Sequence, residues 1–225
     1  FIYNKADADF VKGHMYKFMM EGWHGIVNKK QKDAKPLIEY INQQFSFDAA
    51  KQTSFIDNNT IFEEVKEQLD KFSLDPGCTY VAIYISPIKN DDKDHPQHKA
   101  YYQIKEHLLD KGITSQVIFK EHLAKPEFYY FLPNIYVALL AKMGGIPWRL
   151  ARSRANELII GVGAFKPRDA AHRYVGSAFC FSNDGKFEGF GCYKKNETKL
   201  LAGSIKDQVE KFIEQHQSVR RIIIH

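Results

Sequence analysis

"KAYYQIKEHLLDKGITSQVIF", residues 99–119, reads as an amphipathic helix that stops at Gly112 and a short apolar strand that follows at once. The preceding residues continue the alternation. "NNTIFEEVKEQLDKF" (58–72) sets Phe62, Val65, Leu69 and Phe72 at helical spacing, behind Asn and Thr as cap candidates. "LDPGC" (74–78) is a turn, and "TYVAIYIS" (79–86) is a β-branched and aromatic run that predicts a buried strand. Beyond the quoted stretch, "NIYVALLAKM" (134–143) predicts a second helix, opened by Pro133 and stopped by Gly144 and Gly145. Strands alternating with helices predict a small α/β layer built on a parallel sheet.

After "PWRLARSRAN" (147–156) the pattern changes. "ELIIGVGAF" (157–165), "RYVGSAFCF" (173–181) and "KFEGFGCY" (186–193) read as three strands, the last two joined by the hairpin signal "NDG". Ser204, with Asp207 three residues on, is expected to cap a helix whose apolar face is Ile205, Val209, Phe212 and Ile213. "RRIIIH" (220–225) is a fourth strand. Three antiparallel strands, a helix and a strand form the opening half of a ribonuclease H-like fold. The expected division is therefore a leading linker over 1–50, an α/β domain over 51–150 and the start of a second domain over 151–225. Within the leading segment, "HMYKFMMEGWHGI" (14–26) has no clean period and "PLIEYINQQF" (36–45) is a short helix. The chain opens at Phe1 and stops inside an apolar run, so it reads as part of a longer protein.

Hydrophobic residues make up 44% and charged residues 26%, ordinary for a globular chain, and no apolar run reaches a membrane span. A cytoplasmic protein without a membrane is the expectation. Three widely spaced cysteines, Cys78, Cys180 and Cys192, argue against a disulfide framework. The net charge of +5 is concentrated. Residues 142–173 hold Lys142, Arg149, Arg152, Arg154, Lys166, Arg168 and Arg173 against Glu157 and Asp169, a local excess as large as that of the whole chain. Charge gathered this way suits a polyanion.

Tyr101 and Lys105 are four residues apart and share one helical face. Gln116 opens the next strand, and Lys142 stands near the end of the second helix. A lysine supplies point charge to a phosphate, Tyr and Gln supply directional hydrogen bonds, and Tyr adds a stacking face for a base. The loop "DDKDHPQH" (91–98) invites a metal, but its spacing matches no defined site and Pro96 breaks it. Gly161 and Gly163 are followed by a strand, where a dinucleotide fold needs a third glycine and a helix. Without a glycine-rich phosphate loop, a nucleotide-binding α/β enzyme ranks last.

In that order and on those elements, Tyr101, Lys105, Gln116 and Lys142, the last within "KMGG" (142–145), resemble the MID domain of prokaryotic-type Argonaute and Piwi proteins. "GGIPW" (144–148) resembles the family's link into the PIWI domain. The resemblance implies a Rossmann-like MID domain followed by the first half of a ribonuclease H-like PIWI domain. It implies that the four residues grip the 5′ phosphate of a short guide strand, which then pairs with a complementary target. Arg149, Arg152, Arg154, Lys166 and Arg173 would continue the path of the nucleic-acid backbone. It admits Mg²⁺ at the 5′-phosphate pocket and no other cofactor, and an associated effector protein as a further partner.

Cleaving members of the family carry "IIG-x-D-x-x-x-P" on their first PIWI strand. Here "IIGVGAFKP" (159–167) keeps Gly161 and Pro167 but places Gly163 where the acid stands. The resemblance therefore implies a guide-directed binder without catalysis, with a guide-directed endonuclease as the alternative. Glu197 would be the family's glutamate finger by spacing alone, and reads more simply as a loop carboxylate.

Overall fold

The run Val81–Ser86 is buried on both of its faces over residues 83–86, which is what a central strand of a two-sided parallel sheet requires. It belongs to a computed structural model that describes residues 1–42, 44–88, 98–148, 151, 157–165, 174–182, 187–216 and 219–225. These residues divide into two units, Phe1–Pro147 and Trp148–His225.

The first unit runs β1 (Ile2–Asn4), α1 (Ala8–Tyr16), β2 (Trp23–Val27), β3 (Lys30–Ala34), α2 (Leu37–Ile41), β4 (Thr53–Phe55), α3 (Ile61–Leu69), β5 (Val81–Ser86), α4 (His98–Asp110), β6 (Thr114–Phe119), α5 (Lys120–Leu123) and α6 (Leu132–Lys142). Its four-stranded sheet has the order β4-β1-β5-β6, with every pairing parallel. Alternation along β5 divides the core. Ile83 and Ile85 join Ile118, Leu132, Tyr136 and Leu139 on one face, whereas Tyr84 joins Ile104, Leu108, Val65 and Leu69 on the other. α6 therefore covers one side of the sheet and α3 and α4 the other, with β6 as an edge strand between α4 and α6.

The first fifty residues differ from the expected linker. β1 sits inside the sheet between β4 and β5, and α1 contributes Val11 and Met15 to the core. A three-residue strand is too short to show a period. The aromatic run behind α1 lost its period for another reason: Lys17–Glu21 forms a π-type turn before Gly22 and β2. Gly22 has φ +90, and a Cβ there would meet the Ala34 carbonyl oxygen at 2.5 Å, so only glycine fits.

The second unit runs β7 (Glu157–Phe165), β8 (Tyr174–Ser182), β9 (Phe187–Lys194), α7 (Thr198–Gln215) and β10 (Arg221–Ile224). The sheet order is β10-β7-β8-β9; β7, β8 and β9 are antiparallel and β10 lies parallel to β7. Leu158, Ile160 and Phe212 form its core, with Val162, Leu201, Ile205 and Val209 packed against them. Ser204 does not cap α7. The helix begins six residues earlier at Thr198, because Lys199, Leu200, Leu201 and Ala202 are good helix formers that extend the turn at Glu197. No described helix is long and apolar enough to cross a membrane.

The faces of α4 set one expectation. Leu108 is wholly buried and Leu109 is 53% exposed. Leu108→Ala should cost about 2–5 kcal/mol in urea unfolding, and Leu109→Ala should stay within about 0.5 kcal/mol. Equal losses would contradict the placement of this helix.

Candidate functional site

Two of the expected site residues, Gln116 and Lys142, meet at the β6 edge. α6 ends because Gly144 adopts φ +83 just past the helix; its N–H donates to the Ala141 carbonyl at 3.1 Å and that of Gly145 to the Leu140 carbonyl at 2.9 Å. These two bonds close a Schellman stop, so "GG" fixes where the helix finishes. Lys142 is consequently its last residue, and Thr114 Oγ1 at the start of β6 reaches the Lys142 carbonyl at 3.5 Å. Lys142 Nζ donates to Gln116 Oε1 at 2.7 Å, and Gln116 Nε2 donates to the Val117 carbonyl at 3.0 Å. The amide is thus held from both ends.

Lys105 comes from α4, on the other side of the sheet. Its charge is felt at Lys142, whose pKa is pushed down first by burial and then by Lys105. Among the described residues no carboxylate pairs with either lysine. Lys142 is half-buried beside a neutral amide and close enough to Lys105 to feel its charge, an arrangement in which a nearby anion would favour both charged forms. Tyr101 stands one helical turn before Lys105. Its ring packs on the second core and lies near-parallel to that of Tyr84, 12° between planes with centroids 6.5 Å apart, while Tyr102 meets it edge-on at 5.0 Å. The sequence did not single out Tyr84 as a support, although the alternation in "VAIYIS" places it on the α4 side.

Mg²⁺ needs several hard oxygen ligands. Gln116 and Tyr101 offer neutral oxygens, the lysines offer none, and no carboxylate stands with them among the described residues. The side chains here do not by themselves fit that ion.

The other expected positions are distributed as follows. Arg149, Arg152, Arg154, Lys166 and Arg173 lie outside the described residues, as does the loop from Asp91 to Gln97. Gly161 and Gly163 are both on β7. Gly163 lies where the ladder is irregular: from Val162 to Ala164 the partner strand moves from Ala178 to Val175, one residue more than β7. A Cβ at Gly163 meets nothing within 4 Å, and its φ is outside the left-handed region. Glu197 precedes α7 and accepts the Lys194 N–H at Oε2, 2.7 Å, which closes a local turn. Cys78 and Cys192 are free and exposed.

A family model described as "Piwi domain" matches residues 93–225, more than half of the chain. The chain is 25% identical over 141 residues to a Piwi protein of Archaeoglobus fulgidus, covering 61% of this chain and 29% of that protein. It is 28% identical over 117 residues to a protein argonaute of Cereibacter sphaeroides, covering 48% and 15%. It thus spans less than a third of either relative. In fold it is similar to Drosophila Piwi, with a TM-score of 0.65 at 15% identity over 99% of this chain and 28% of that one. It is also similar to Marinitoga piezophila Argonaute in complex with 5′ OH guide RNA and target DNA, with a TM-score of 0.58 at 14% identity over 100% and 34%. Both solved structures carry the mixed α/β arrangement with a parallel sheet.

Two substitutions probe this geometry without any ligand. Lys142→Met keeps the stem and removes a charge disfavoured by burial and by Lys105 but also loses the bond to Gln116 Oε1, so any gain in stability should be small, at most about 0.5 kcal/mol after solvent screening. Because the folded-state pKa of Lys142 is depressed, the cost of its charge is present at low pH and fades as pH rises toward the ordinary lysine value of 10.5. The advantage of Lys142→Met in urea unfolding should shrink over the same range. A stability of Lys142→Met relative to the unmodified chain that does not fall as pH rises would contradict this account.

Proposed function

This chain belongs to the Piwi family, and we propose that its first unit holds the 5′-phosphorylated end of a short guide strand, which it presents to a complementary target without cutting it. The observation that carries the reading is the Lys142–Gln116 contact beside Lys105, a polar site with two cations and no carboxylate partner among the described residues. It lies on the residues that the resemblance assigns to the phosphate. Structures of similar fold were determined with 5′ OH guide RNA, one of them also with target DNA; they support a guide and a target as partners, and the phosphate rests on the two lysines.

In this reading Lys142 and Lys105 neutralise the terminal phosphate, and the approaching anion reverses the penalty that burial and mutual repulsion place on Lys142. The Gln116 amide and the Tyr101 hydroxyl add directed hydrogen bonds, and the Tyr101 ring offers a face to the terminal base. Arg149, Arg152, Arg154, Lys166 and Arg173 extend the contact along the backbone. Specificity for the target comes from base pairing, while the protein reads shape and charge. The protein acts in the cytoplasm, and an associated effector supplies whatever activity follows target binding.

The absence of cutting rests on Gly163. Two-metal hydrolysis of a phosphodiester needs carboxylates to hold the ions that activate water and stabilise the leaving oxygen, and glycine has no side chain to offer. The bond that Glu197 accepts from the Lys194 N–H supports reading it as a local turn carboxylate.

Two experiments test the proposal. Lys105→Ala with Lys142→Ala should weaken binding of a 5′-phosphorylated strand by about 2–4 kcal/mol, the scale of the charge-assisted bonds removed, and should abolish preference over a 5′-hydroxyl strand. Equal binding of both end types by the unmodified protein would overturn the pocket. Separately, full-length protein loaded with guide should bind an end-labelled target and leave it intact in Mg²⁺ or Mn²⁺. A single cut opposite a fixed guide position would overturn the inactive assignment and support an endonuclease.

A further inference from the structure

The β2–β3 hairpin carries charge that the 5′-phosphate pocket does not use. Asn28 and Lys29 both have positive φ, 51° and 60°, which makes the tip a tight two-residue turn between Val27 and Lys30. Lys29, Lys30, Lys32 and Lys35 fall within seven residues, against a single acid, Asp33. That acid is already engaged: His24 Nδ1 lies 2.8 Å from Asp33 Oδ1, and Gln31 Nε2 donates to the same oxygen at 3.2 Å. Among the described residues none of the four lysines has a carboxylate partner. Lys29 and Lys30 are exposed and Lys32 is partly so.

The tip also carries an aromatic. Asn28 Nδ2 donates to the Tyr130 hydroxyl at 3.3 Å, and Trp23 packs on Tyr129 with ring centroids 5.3 Å apart. Strand alternation puts Lys30 and Lys32 on the same side of the hairpin as Trp23, hence toward these tyrosines. Tyr130 remains 50% exposed although its hydroxyl is tied to the turn. Unpaired ammonium groups interleaved with a fixed, exposed aromatic face suit a strand of nucleic acid: charge for phosphates and a ring for a base.

We propose that this hairpin tip, Lys29, Lys30 and Lys32 with Tyr130 beside them, is a second nucleic-acid contact that holds the phosphodiester backbone of the bound strand irrespective of its 5′ end. The proposal rests on the reading that the first unit binds such a strand. Pro126–Phe131, the turn that bears Tyr129 and Tyr130, runs directly into α6, and Lys142 closes that helix. The eleven residues of α6 span about 16 Å along the helix axis, at roughly 1.5 Å per residue, between the turn that bears Tyr130 and Lys142. One strand can span that distance within a few nucleotides.

The test compares the full chain with a Lys29→Gln, Lys30→Gln, Lys32→Gln variant, and with Lys30→Glu alone, on short single strands bearing a 5′ phosphate or a 5′ hydroxyl across a salt series. The triple variant should weaken both end types by the same factor and flatten the slope of log affinity against log salt by about two, at roughly 0.7 per phosphate contact on a single strand. Lys30→Glu should weaken both more than loss of one contact does, and Tyr130→Ala should weaken both with no change of slope. The preference for the 5′ phosphate should survive in every hairpin variant. Unchanged affinity and slope in the triple variant and in Lys30→Glu would overturn the proposal. An unmodified chain that shows the hairpin effect but no 5′-phosphate preference would overturn the pocket alone, and one that binds no strand would overturn both.

Discussion

Lys142 Nζ lies 2.7 Å from Gln116 Oε1 because α6 ends where it does, and most of the first unit serves to fix that end. Leu132, Tyr136 and Leu139 lock the helix onto one face of the sheet. Two glycines then close it, and Thr114 at the start of the edge strand meets the last helical carbonyl. α4 is packed onto the opposite face by Ile104 and Leu108, and the charge of its Lys105 bears on Lys142. An edge strand is a place where a small α/β layer can bring side chains from both helical layers together without opening its core. The resulting pair of cations is unfavourable in isolation, so the fold holds a charge arrangement that an incoming anion relieves.

The second unit is organised around β7, which bears Gly163. β7 carries Leu158 and Ile160 into its core, and β10 pairs alongside it; His225 continues the ladder, its N–H donating to the Ile160 carbonyl at 2.9 Å and its carbonyl accepting from Val162 at 2.7 Å. The strand frame is therefore intact up to Gly163. Neither backbone conformation nor crowding demands glycine there, since the φ is ordinary and the space for a Cβ is open. This contrasts with Gly22 and Gly144, which their φ values require. Among the described residues nothing around Gly163 requires glycine.

Much of this was legible in the sequence, wherever the period was long enough to be counted. α3, α4, β5, β6, α6, β7 and β10 follow from apolar spacing and from the glycines that end them. β1 was not legible, because three residues carry no pattern and its place in the sheet is decided by pairing with β4 and β5. The start of α7 was misread because a Ser with an acid three residues on looks like a cap even inside a helix, where Ser204 in fact lies. Tyr101, Lys105, Gln116 and Lys142 could be nominated from the order of residue types, but the contact between Gln116 and Lys142 needed the two helical layers to be placed. The hairpin lysines escaped notice because a short basic stretch in an aperiodic segment gives no sign of the tyrosines, a hundred residues away, that it meets.

The central claim is that Lys142 and Lys105 form an unneutralised pair waiting for a terminal phosphate. A direct measurement is the NMR titration of the Lys142 ammonium in the full chain, alone and with a nucleoside 5′-monophosphate. The expected result is a pKa below the ordinary lysine value in the free protein, for the reasons of burial and repulsion, and a rise when the monophosphate is added but not when the nucleoside is. An ordinary pKa in the free protein, or one that the monophosphate leaves unmoved, would contradict the account.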